Sequence, residues 1–317
     1  MTGPGIGLLF PGQGSHFVGM GKDLVERFPR ARETFQEADE ALGWSLSRLC
    51  WEGPEDELVL TRNAQPAILV HSVAVWRLLE DRNLPVSVAA GHSLGEFSAY
   101  VAAGALEFAD AVRTVRRRGE LMFESGKERP GTMAALLGLA DDVADRVCTE
   151  ASGGDGVVVP ANFNAPGQLV ISGDRVVVER AADLARAAGA KRVIPLNVSG
   201  AFHSPLMHVA REGLEEQLRS IGICEPGFPV VSNVTAAPVR DPDAARRLLV
   251  EQLTSPVQWV SSVQGMVTRG TSRFLELGPG NVLTGLLRRI DRAAEGKALG
   301  TADQVHSFLA EEVAAWS

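Results

Sequence analysis

Ser93 lies in a segment that is typical of a serine nucleophile. Residues 91–95 read Gly-His-Ser-Leu-Gly, a G-x-S-x-G pentapeptide between the apolar run 85–90 and a helix-like stretch at 96–103. On a sharp strand-to-helix turn, such a serine can project its hydroxyl from the sheet, while the helix N-terminus offers free N–H groups to a developing oxyanion. A glycine-rich turn with an incidental serine is the alternative, but the flanking strand and helix favour the nucleophile.

A serine nucleophile needs a general base, and His203 is the best candidate among the six histidines. It lies at 199–205, a segment of small and turn-forming residues where the chain is expected to return to its first domain. Four other histidines fit less well: His92, which adjoins Ser93 but should point elsewhere, His71 in an apolar helix, and His208 and His306 among ordinary helical residues. The pairing with Ser93 favours a catalytic His203 over a structural one.

A second glycine-rich segment, residues 10–15, directly follows the first predicted strand. Its glycines would permit a ligand to approach the backbone at the carboxyl end of a parallel sheet. The segment lacks the lysine of a P-loop and the spacing of a dinucleotide fingerprint, so nucleotide binding is disfavoured. A tight turn explains it equally well. In the functional interpretation, the N–H groups of Gln13 and Leu94 form an oxyanion hole.

Composition and charge limit the classes of protein to which this chain can belong. The 317 residues are 45% hydrophobic, enough for one large domain with a smaller one attached. A net charge of −8 disfavours nucleic acid and anionic membranes as partners. No signal-peptide pattern and no apolar run of about 18 residues is visible, so a cytoplasmic location is expected. Cys50, Cys148 and Cys224 lie too far apart to indicate disulfides or a metal site.

Hydrophobic periodicity predicts elements that must position these residues. In the first part of the chain strands alternate with helices, which favours a parallel α/β sheet. The strands are expected at 6–10 and 86–90, and the helices at 19–41, 64–79 and 108–122.

The pattern of predicted elements changes after Gly126. Short strands and two helices follow in a β-α-β-β-α-β order, which is suited to a small ferredoxin-like unit. The strands are expected at 133–137, 156–159, 169–172 and 192–196, and the helices at 141–151 and 176–189. From about Ser199 the chain returns to the first domain, with strand candidates at 229–232 and 273–277.

Seven segments occur together and in order. They are Phe-Pro-Gly-Gln-Gly-Ser at 10–15, Gly-His-Ser-Leu-Gly-Glu at 91–96, Arg118-Gly119, Asn-Phe-Asn-Ala-Pro-Gly-Gln at 162–168, the His203 loop, Gln252-Leu253 with Pro-Val-Gln-Trp at 256–259, and Glu-Leu-Gly-Pro-Gly-Asn-Val-Leu at 276–283. With this combination the chain resembles the malonyl-CoA:acyl carrier protein transacylase family from end to end. The combination is far more specific than any one motif.

The resemblance implies the fold and the activity. The expected fold is a large α/β-hydrolase-like domain with a mostly parallel sheet, residues 1–128 and 200–317, and an inserted ferredoxin-like α+β subdomain, residues 129–199. The implied reaction is ping-pong transfer of malonyl from malonyl-CoA to acyl carrier protein for fatty acid synthesis, with coenzyme A thioester as substrate and no resident cofactor or metal. A polyketide acyltransferase acting in trans and an α/β-hydrolase-type thioesterase are the alternatives. A monomer is expected.

The resemblance also implies roles for individual residues. Ser93 would carry the acyl group, and His203 would act as general base and acid. Gln252 would orient His203 through its backbone carbonyl, where hydrolases use an aspartate. The N–H groups of Gln13 and Leu94 would form the oxyanion hole.

Arg118 would bind the malonyl carboxylate, because a guanidinium can donate two parallel charge-assisted hydrogen bonds to it. Spacing alone would make Arg118 an exposed helix arginine. Met122, Phe202 and Asn162 are the other predicted substrate-binding residues, although a core methionine explains Met122 nearly as well. Phe202 follows an alanine, a pair that accompanies malonyl in related modular acyltransferases.

Two points depart from a simple match. His16 stands where the first motif of the family usually has glutamine, and its role is open. Acyl carrier proteins are acidic, as is this chain overall, so docking requires a local basic face. Two clusters of basic residues are the candidates for this face, and ordinary solvated surface is the alternative explanation for both. They are Arg288, Arg289 and Arg292, and Lys191 with Arg192.

Overall fold

The structure is a computed structural model, and it describes residues 5–310. Its β-strands, in chain order, are β1 Ile6–Phe10, β2 Val86–Gly91, β3 Gly131–Leu137, β4 Val158–Ala165, β5 Gln168–Asp174, β6 Arg192–Pro195, β7 Val230–Val231, β8 Pro238–Val239, β9 Arg273–Leu277 and β10 Glu295–Leu299. They form two sheets, one in the order β10-β9-β1-β2-β7-β8 and one in the order β4-β5-β3-β6.

The two sheets differ in strand direction. In the six-stranded sheet every pairing is parallel except that of β7 with β8. In the four-stranded sheet every pairing is antiparallel. The α/β class with a mostly parallel sheet and an inserted α+β unit is therefore confirmed. The unit's outer boundaries, 129 and 199, stay a prediction.

Fourteen α-helices connect and cover these strands within the described part of the chain. They are α1 Lys22–Arg27, α2 Pro29–Leu42, α3 Leu46–Glu52, α4 Glu55–Leu58, α5 Thr61–Arg77, α6 Gly95–Ala102, α7 Phe108–Glu128, α8 Asp141–Ala151, α9 Arg175–Ala187, α10 His208–Arg219, α11 Pro242–Glu251, α12 Trp259–Thr268, α13 Val282–Ile290 and α14 Ala302–Ala310. Short 3₁₀ helices occur at Glu80–Arg82, Pro205–Met207 and Gln252–Thr254. No helix in residues 5–310 combines the length and the hydropathy that crossing a bilayer requires.

Burial explains why the central strands read as continuous apolar runs. All five residues of β1 are buried, as expected for a parallel strand covered by helices on both faces. A core that includes α5, α6 and α7 lies against one face of this sheet. The small sheet has its own core, shared with α8 and α9. The residues at the carboxyl ends of β1 and β2 are thus held on a rigid frame.

Two local differences from the sequence expectation have physical causes. The single helical stretch expected at 19–41 is two helices, because Phe28 precedes a proline and takes an extended backbone with φ −122°. The helix expected at 64–79 begins three residues earlier and contains Pro66. Proline has no N–H for the carbonyl four residues back. That carbonyl, of Arg62, instead accepts a hydrogen bond from Arg116 at 3.3 Å.

Candidate active site

Close packing makes the turn that carries Ser93 dependent on glycine. A Cβ on Gly91 would lie 1.8 Å from the carbonyl carbon of Gly95, and a Cβ on Gly95 would lie 2.1 Å from the Phe10 oxygen. Ser93 itself has φ 51°, in the left-handed region that a non-glycine residue adopts only under constraint. The pentapeptide therefore forms a strained turn between β2 and α6 that projects the Ser93 hydroxyl.

Ser93 and His203 are in hydrogen-bond contact. Ser93 Oγ lies 2.8 Å from His203 Nε2, and His203 Nδ1 lies 2.8 Å from the backbone oxygen of Gln252. A carbonyl only accepts, so Nδ1 carries the proton and Nε2 is free to accept from the serine hydroxyl. His203 is 4% exposed and also has a left-handed backbone, φ 57°. This geometry fits the arrangement predicted for a nucleophile and its base, with a backbone carbonyl in the orienting position.

Burial and the neighbouring Arg118 cation lower the pKa of His203 to about 3, from an ordinary value of 6.5. His203 is therefore neutral, and able to act as a base, far below neutral pH.

We expect that the rate of Ser93 acylation does not decrease as pH falls through 6.5, measured by rapid-quench mass spectrometry at several pH values. The same pKa shift affects stability. The unfolded chain binds this proton near pH 6.5 and the folded chain only near pH 3, so the free energy of unfolding falls as pH decreases from 6.5 to 3. An acid limb in acylation centred near 6.5 would contradict this environment for His203.

Arg118 is buried within α7, with 1% of its surface exposed. Its Nη1 donates to Gln65 Oε1 at 2.7 Å, and its Nη2 donates to Gln252 Oε1 at 2.8 Å and to Ser93 Oγ at 3.2 Å. Its Nε–H has no acceptor among the described residues. Burial lowers the pKa of Arg118 to about 10, so the group is still a cation at neutral pH. A buried cation that contacts the Ser93 hydroxyl and keeps one free donor could bind an anionic group.

Gly119 allows α7 to approach α5 closely enough to place Arg118 in the pocket. A Cβ at this position would lie 2.6 Å from the Arg62 Cα and 2.7 Å from the Thr61 oxygen. These are backbone atoms, which cannot rotate away. The glycine that follows Arg118 is thus a packing requirement for the arginine's position.

Gly119→Ala is expected to reduce the free energy of unfolding by about 1–3 kcal/mol through overpacking and to slow acylation by displacing Arg118. The matched control is Gly285→Ala in α13, where a Cβ meets nothing within 4 Å. Alanine there is expected to stabilise by about 0.5–1 kcal/mol. Urea unfolding of both variants tests the pair, and equal stabilities would contradict the helix contact.

The N–H groups of Gln13 and Leu94 make no hydrogen bond within the described residues, and both residues line the pocket that contains Ser93. The Ser93 N–H, in contrast, donates to Asn233 Oδ1 at 2.7 Å. The Gln13 side chain donates to Thr61 Oγ1 at 3.1 Å, which anchors its loop. The geometry leaves the Gln13 and Leu94 N–H groups available to an oxyanion.

A pocket with a volume of about 300 Å³ surrounds these groups. Its lining includes all of the substrate-binding residues expected from the sequence, namely Arg118, Met122, Phe202 and Asn162. The two remaining histidines near Ser93 also lie there. His16 is half-buried, and His92 turns its Nε2 to Asn164 Oδ1 of the small sheet at 2.8 Å.

Three buried polar residues that the sequence patterns did not single out complete the site. Gln65, Glu96 and Asn233 are each at most 1% exposed. Gln65 contacts Arg118, and Asn233 bridges Ser93 and Glu96. A polar residue inside an apolar run was the available signal for Gln65. No comparable sequence signal pointed to the contacts of Glu96 and Asn233, because their partners come from distant segments.

Together these groups can form and break an ester at Ser93. The neutral His203 can take the serine proton, the two N–H groups can stabilise a tetrahedral oxyanion, and Arg118 can hold an acyl group that ends in a carboxylate. Residues 5–310 contain no cluster of three or more His, Cys, Asp or Glu side chains that could ligate a metal.

Comparison with known proteins agrees with this chemistry. A family model described as an acyl transferase domain matches residues 8–305. A malonyl CoA-acyl carrier protein transacylase of Bacillus subtilis is 48% identical over 287 residues, 90% of either chain. A protein of the same name from Escherichia coli K12 is 47% identical over 292 residues, 92% of this chain and 94% of that one.

Solved structures of related proteins are also similar to this chain over nearly its whole length. The malonyl-CoA:acyl carrier protein transacylase of Xanthomonas oryzae has a TM-score of 0.94 at 43% identity, with both chains covered over 100%. A malonyl-transacylase in complex with its type II polyketide acyl carrier protein has a TM-score of 0.93 at 43% identity, covering 96% of this chain and 98% of that one. The chain therefore belongs to the malonyl-CoA:acyl carrier protein transacylase family.

Proposed function

We propose that this protein transfers malonyl from coenzyme A to the phosphopantetheine thiol of acyl carrier protein through an ester on Ser93. The observation that carries the proposal is the contact of one hydroxyl with both a base and a cation. Ser93 Oγ lies 2.8 Å from His203 Nε2 and 3.2 Å from Arg118 Nη2. The base activates the nucleophile, and the cation selects an acyl group with a carboxylate.

In the first half-reaction His203 Nε2 removes the Ser93 proton as Oγ attacks the malonyl thioester carbon. The N–H groups of Gln13 and Leu94 bind the oxyanion of the tetrahedral intermediate. Collapse breaks the C–S bond, and protonated His203 gives its proton to the departing coenzyme A thiolate. Malonyl-Ser93 and free coenzyme A are the products.

The second half-reaction repeats these steps in reverse order. His203 takes the proton of the phosphopantetheine thiol, the thiolate attacks the ester carbon, and Ser93 leaves with the proton that His203 returns. Water must be kept from the ester, because the same groups could activate it. The pocket walls, with Met122 and Phe202 among them, supply apolar surface that disfavours water.

A thioesterase and a polyketide acyltransferase are the two alternative functions. In a thioesterase of the hydrolase type, a carboxylate would orient His203, but here the group on Nδ1 is the Gln252 backbone carbonyl. A carrier protein of polyketide synthesis, as in one of the related complexes, would use the same residues as one of fatty acid synthesis. We propose fatty acid synthesis, on the basis of the similarity to the Bacillus and Escherichia proteins.

The experiment that tests the proposal is steady-state transfer from malonyl-CoA to a carrier protein that bears phosphopantetheine. Parallel double-reciprocal lines are expected, since an acyl-enzyme separates the two substrates. The control is the same carrier without phosphopantetheine, which should accept nothing. Intersecting lines, or release of free malonate in place of transfer, would overturn the proposal. A monomer and a cytoplasmic location remain predictions.

The two basic clusters expected to dock the carrier protein lie at the same end of the small sheet. Leu137 pairs with Gln168 on one side and with Arg192 on the other. Arg289 donates to Gln168 Oε1 and, at 3.4 Å, to the Pro166 oxygen. We propose that the acidic carrier protein binds this end of the small sheet.

Charge reversal tests the docking proposal. Arg288→Glu with Arg292→Glu, and separately Lys191→Glu with Arg192→Glu, are expected to raise the KM for carrier protein about tenfold through lost electrostatic attraction. Acylation by malonyl-CoA alone should not change. The matched control is Arg146→Glu with Arg186→Glu, exposed arginines of α8 and α9. Equal KM values for all three double variants would rule out this docking face.

A further inference from the structure

Glu96 is a fully buried carboxylate in the first turn of α6, one turn after Ser93. Its Oε2 accepts two hydrogen bonds, from Gln252 Nε2 at 2.7 Å and from the Asn233 N–H at 3.1 Å. Its Oε1 has no hydrogen-bond partner in the described part of the chain. The mechanism proposed above does not use this carboxylate.

The Glu96 contacts determine which way the Gln252 amide faces. Gln252 Nε2 donates to Glu96 and to the Ser93 backbone oxygen at 3.0 Å, so its Oε1 faces Arg118 and accepts from Nη2 at 2.8 Å. A reversed amide would direct an NH₂ group at the guanidinium, where donor would meet donor. Glu96 thereby holds Arg118 in place through the Gln252 side chain.

Glu96 also bonds to the second residue that supports the nucleophile turn. Asn233 donates its N–H to Glu96 Oε2, while its side chain accepts the Ser93 N–H at 2.7 Å and donates to the Gly91 oxygen at 2.6 Å. One carboxylate oxygen thus connects the anion-binding arginine with the strained turn of the serine.

The titratable and charged groups near Glu96 come from four segments of the chain. Arg118 of α7 is the cation that acts on it. His203 in its loop is neutral over the physiological range, and Tyr100, one turn further along α6, is neutral because burial and Glu96 raise its pKa. His92 beside Ser93 has a pKa lowered by burial. Before substrate binds, the ionised Glu96 carboxylate is therefore the group that can balance the positive charge of Arg118.

We propose that Glu96 is a positioning residue that sets the Gln252 amide and Arg118, and that it takes up a proton when a substrate carboxylate becomes the partner of Arg118. The inference rests on the proposed malonyl transfer. Oε1 is the position open to this proton, because Oε2 can continue to accept from Gln252 and Asn233. The proton comes from solvent, and no bond to carbon changes.

The pKa of Glu96 makes this exchange measurable. Burial raises it to about 7, against the opposing effects of Gln252, Asn233 and Arg118. Below pH 7 the carboxyl is already protonated and does not repel the substrate carboxylate. Above pH 7 the ionised form does repel it, so the second-order rate constant for acylation by malonyl-CoA should fall as pH rises.

The test is the pH dependence of that rate constant, measured without carrier protein from about pH 6 to pH 8.5. For the unmodified protein we expect a fall of about threefold to tenfold. Glu96→Gln keeps an acceptor for Gln252 but cannot ionise, so its profile should be flat. The matched control is Glu276→Gln, another buried carboxylate with a raised pKa, which accepts from the N–H groups of Leu283 and Thr284. Its profile should follow that of the unmodified protein.

Other outcomes separate the two proposals. The same pH dependence in Glu96→Gln and the unmodified protein, or no dependence in the latter, would overturn this inference. Absence of any malonyl ester in the unmodified protein would instead refute the malonyl transfer itself. If Glu96→Gln does not fold, calorimetry of malonyl-CoA binding to Ser93→Ala near pH 7, in buffers of different ionisation enthalpy, decides. Proton uptake supports the proposal, and no uptake overturns it.

Discussion

Replacing His203 with alanine is expected to slow formation of the Ser93 ester by about 10³-fold, within the range that general acid–base catalysis contributes. The effect is large because His203 is the only base whose ring nitrogen contacts Ser93 Oγ among the described residues, at 2.8 Å. Without it the hydroxyl must lose its proton to water, and the leaving thiolate receives no proton from the protein. Single-turnover mass spectrometry with malonyl-CoA measures the rate directly.

The control for this prediction is His208→Ala, an exposed histidine at the start of α10. It shares the local chain segment but not the contact with the serine, and its rate should match that of the unmodified protein. Thermal unfolding should accompany both measurements. An acylation rate in His203→Ala within tenfold of the unmodified protein would rule out the base role.

Replacing Arg118 with alanine is expected to reduce the rate constant for acylation by malonyl-CoA by about 10²- to 10³-fold, the range for truncating one side of a buried charge pair. The rate with acetyl-CoA should fall much less, because acetyl has no carboxylate to pair. Arg118→Lys should recover only part of the malonyl rate. An ammonium keeps the charge but lacks the planar fork that donates to Gln65 and Gln252 at once.

Arg117→Ala is the matched control, since Arg117 is the preceding residue of α7 but lies on its exposed side. Its ion pairs with Glu120 and Glu124 are long, 3.8 and 3.9 Å, and its side chain is 44% exposed. Neither substrate should be affected. An Arg118→Ala variant that retained the full preference for malonyl over acetyl would show that another group selects the acyl chain.

The parts of the fold that depend on local pattern were predictable from the sequence. The strand at 6–10 and the helix at 141–151 have the expected bounds, because an uninterrupted apolar run and a helical period are local properties. Pro29 is a local signal for the break between α1 and α2, because the residue before a proline disfavours the helical conformation. The early start of α5 was not predictable, because it places Pro66 inside the helix, where the Arg62 carbonyl accepts a hydrogen bond from Arg116 of a distant segment.

The site was predictable where residue type and spacing carry the chemistry, and not where distant segments meet. Ser93 was evident from its pentapeptide. The helical pattern gave Arg118 as an exposed arginine, and the structure shows the opposite, because Gly119 lets α7 contact α5 closely. Glu96 places a carboxyl group in a buried position, and its role is not visible until Gln252, 156 residues later, is brought beside it.

The central claim is that Ser93 carries a malonyl group, and one measurement tests it most directly. The protein is incubated with malonyl-CoA, and separately with acetyl-CoA, and intact mass followed by peptide mapping locates any adduct. We predict a malonyl ester on the peptide that contains Ser93, a much smaller acetyl adduct, and no adduct in Ser93→Ala. No malonyl adduct in the unmodified protein, or one that persists in Ser93→Ala, would contradict the account.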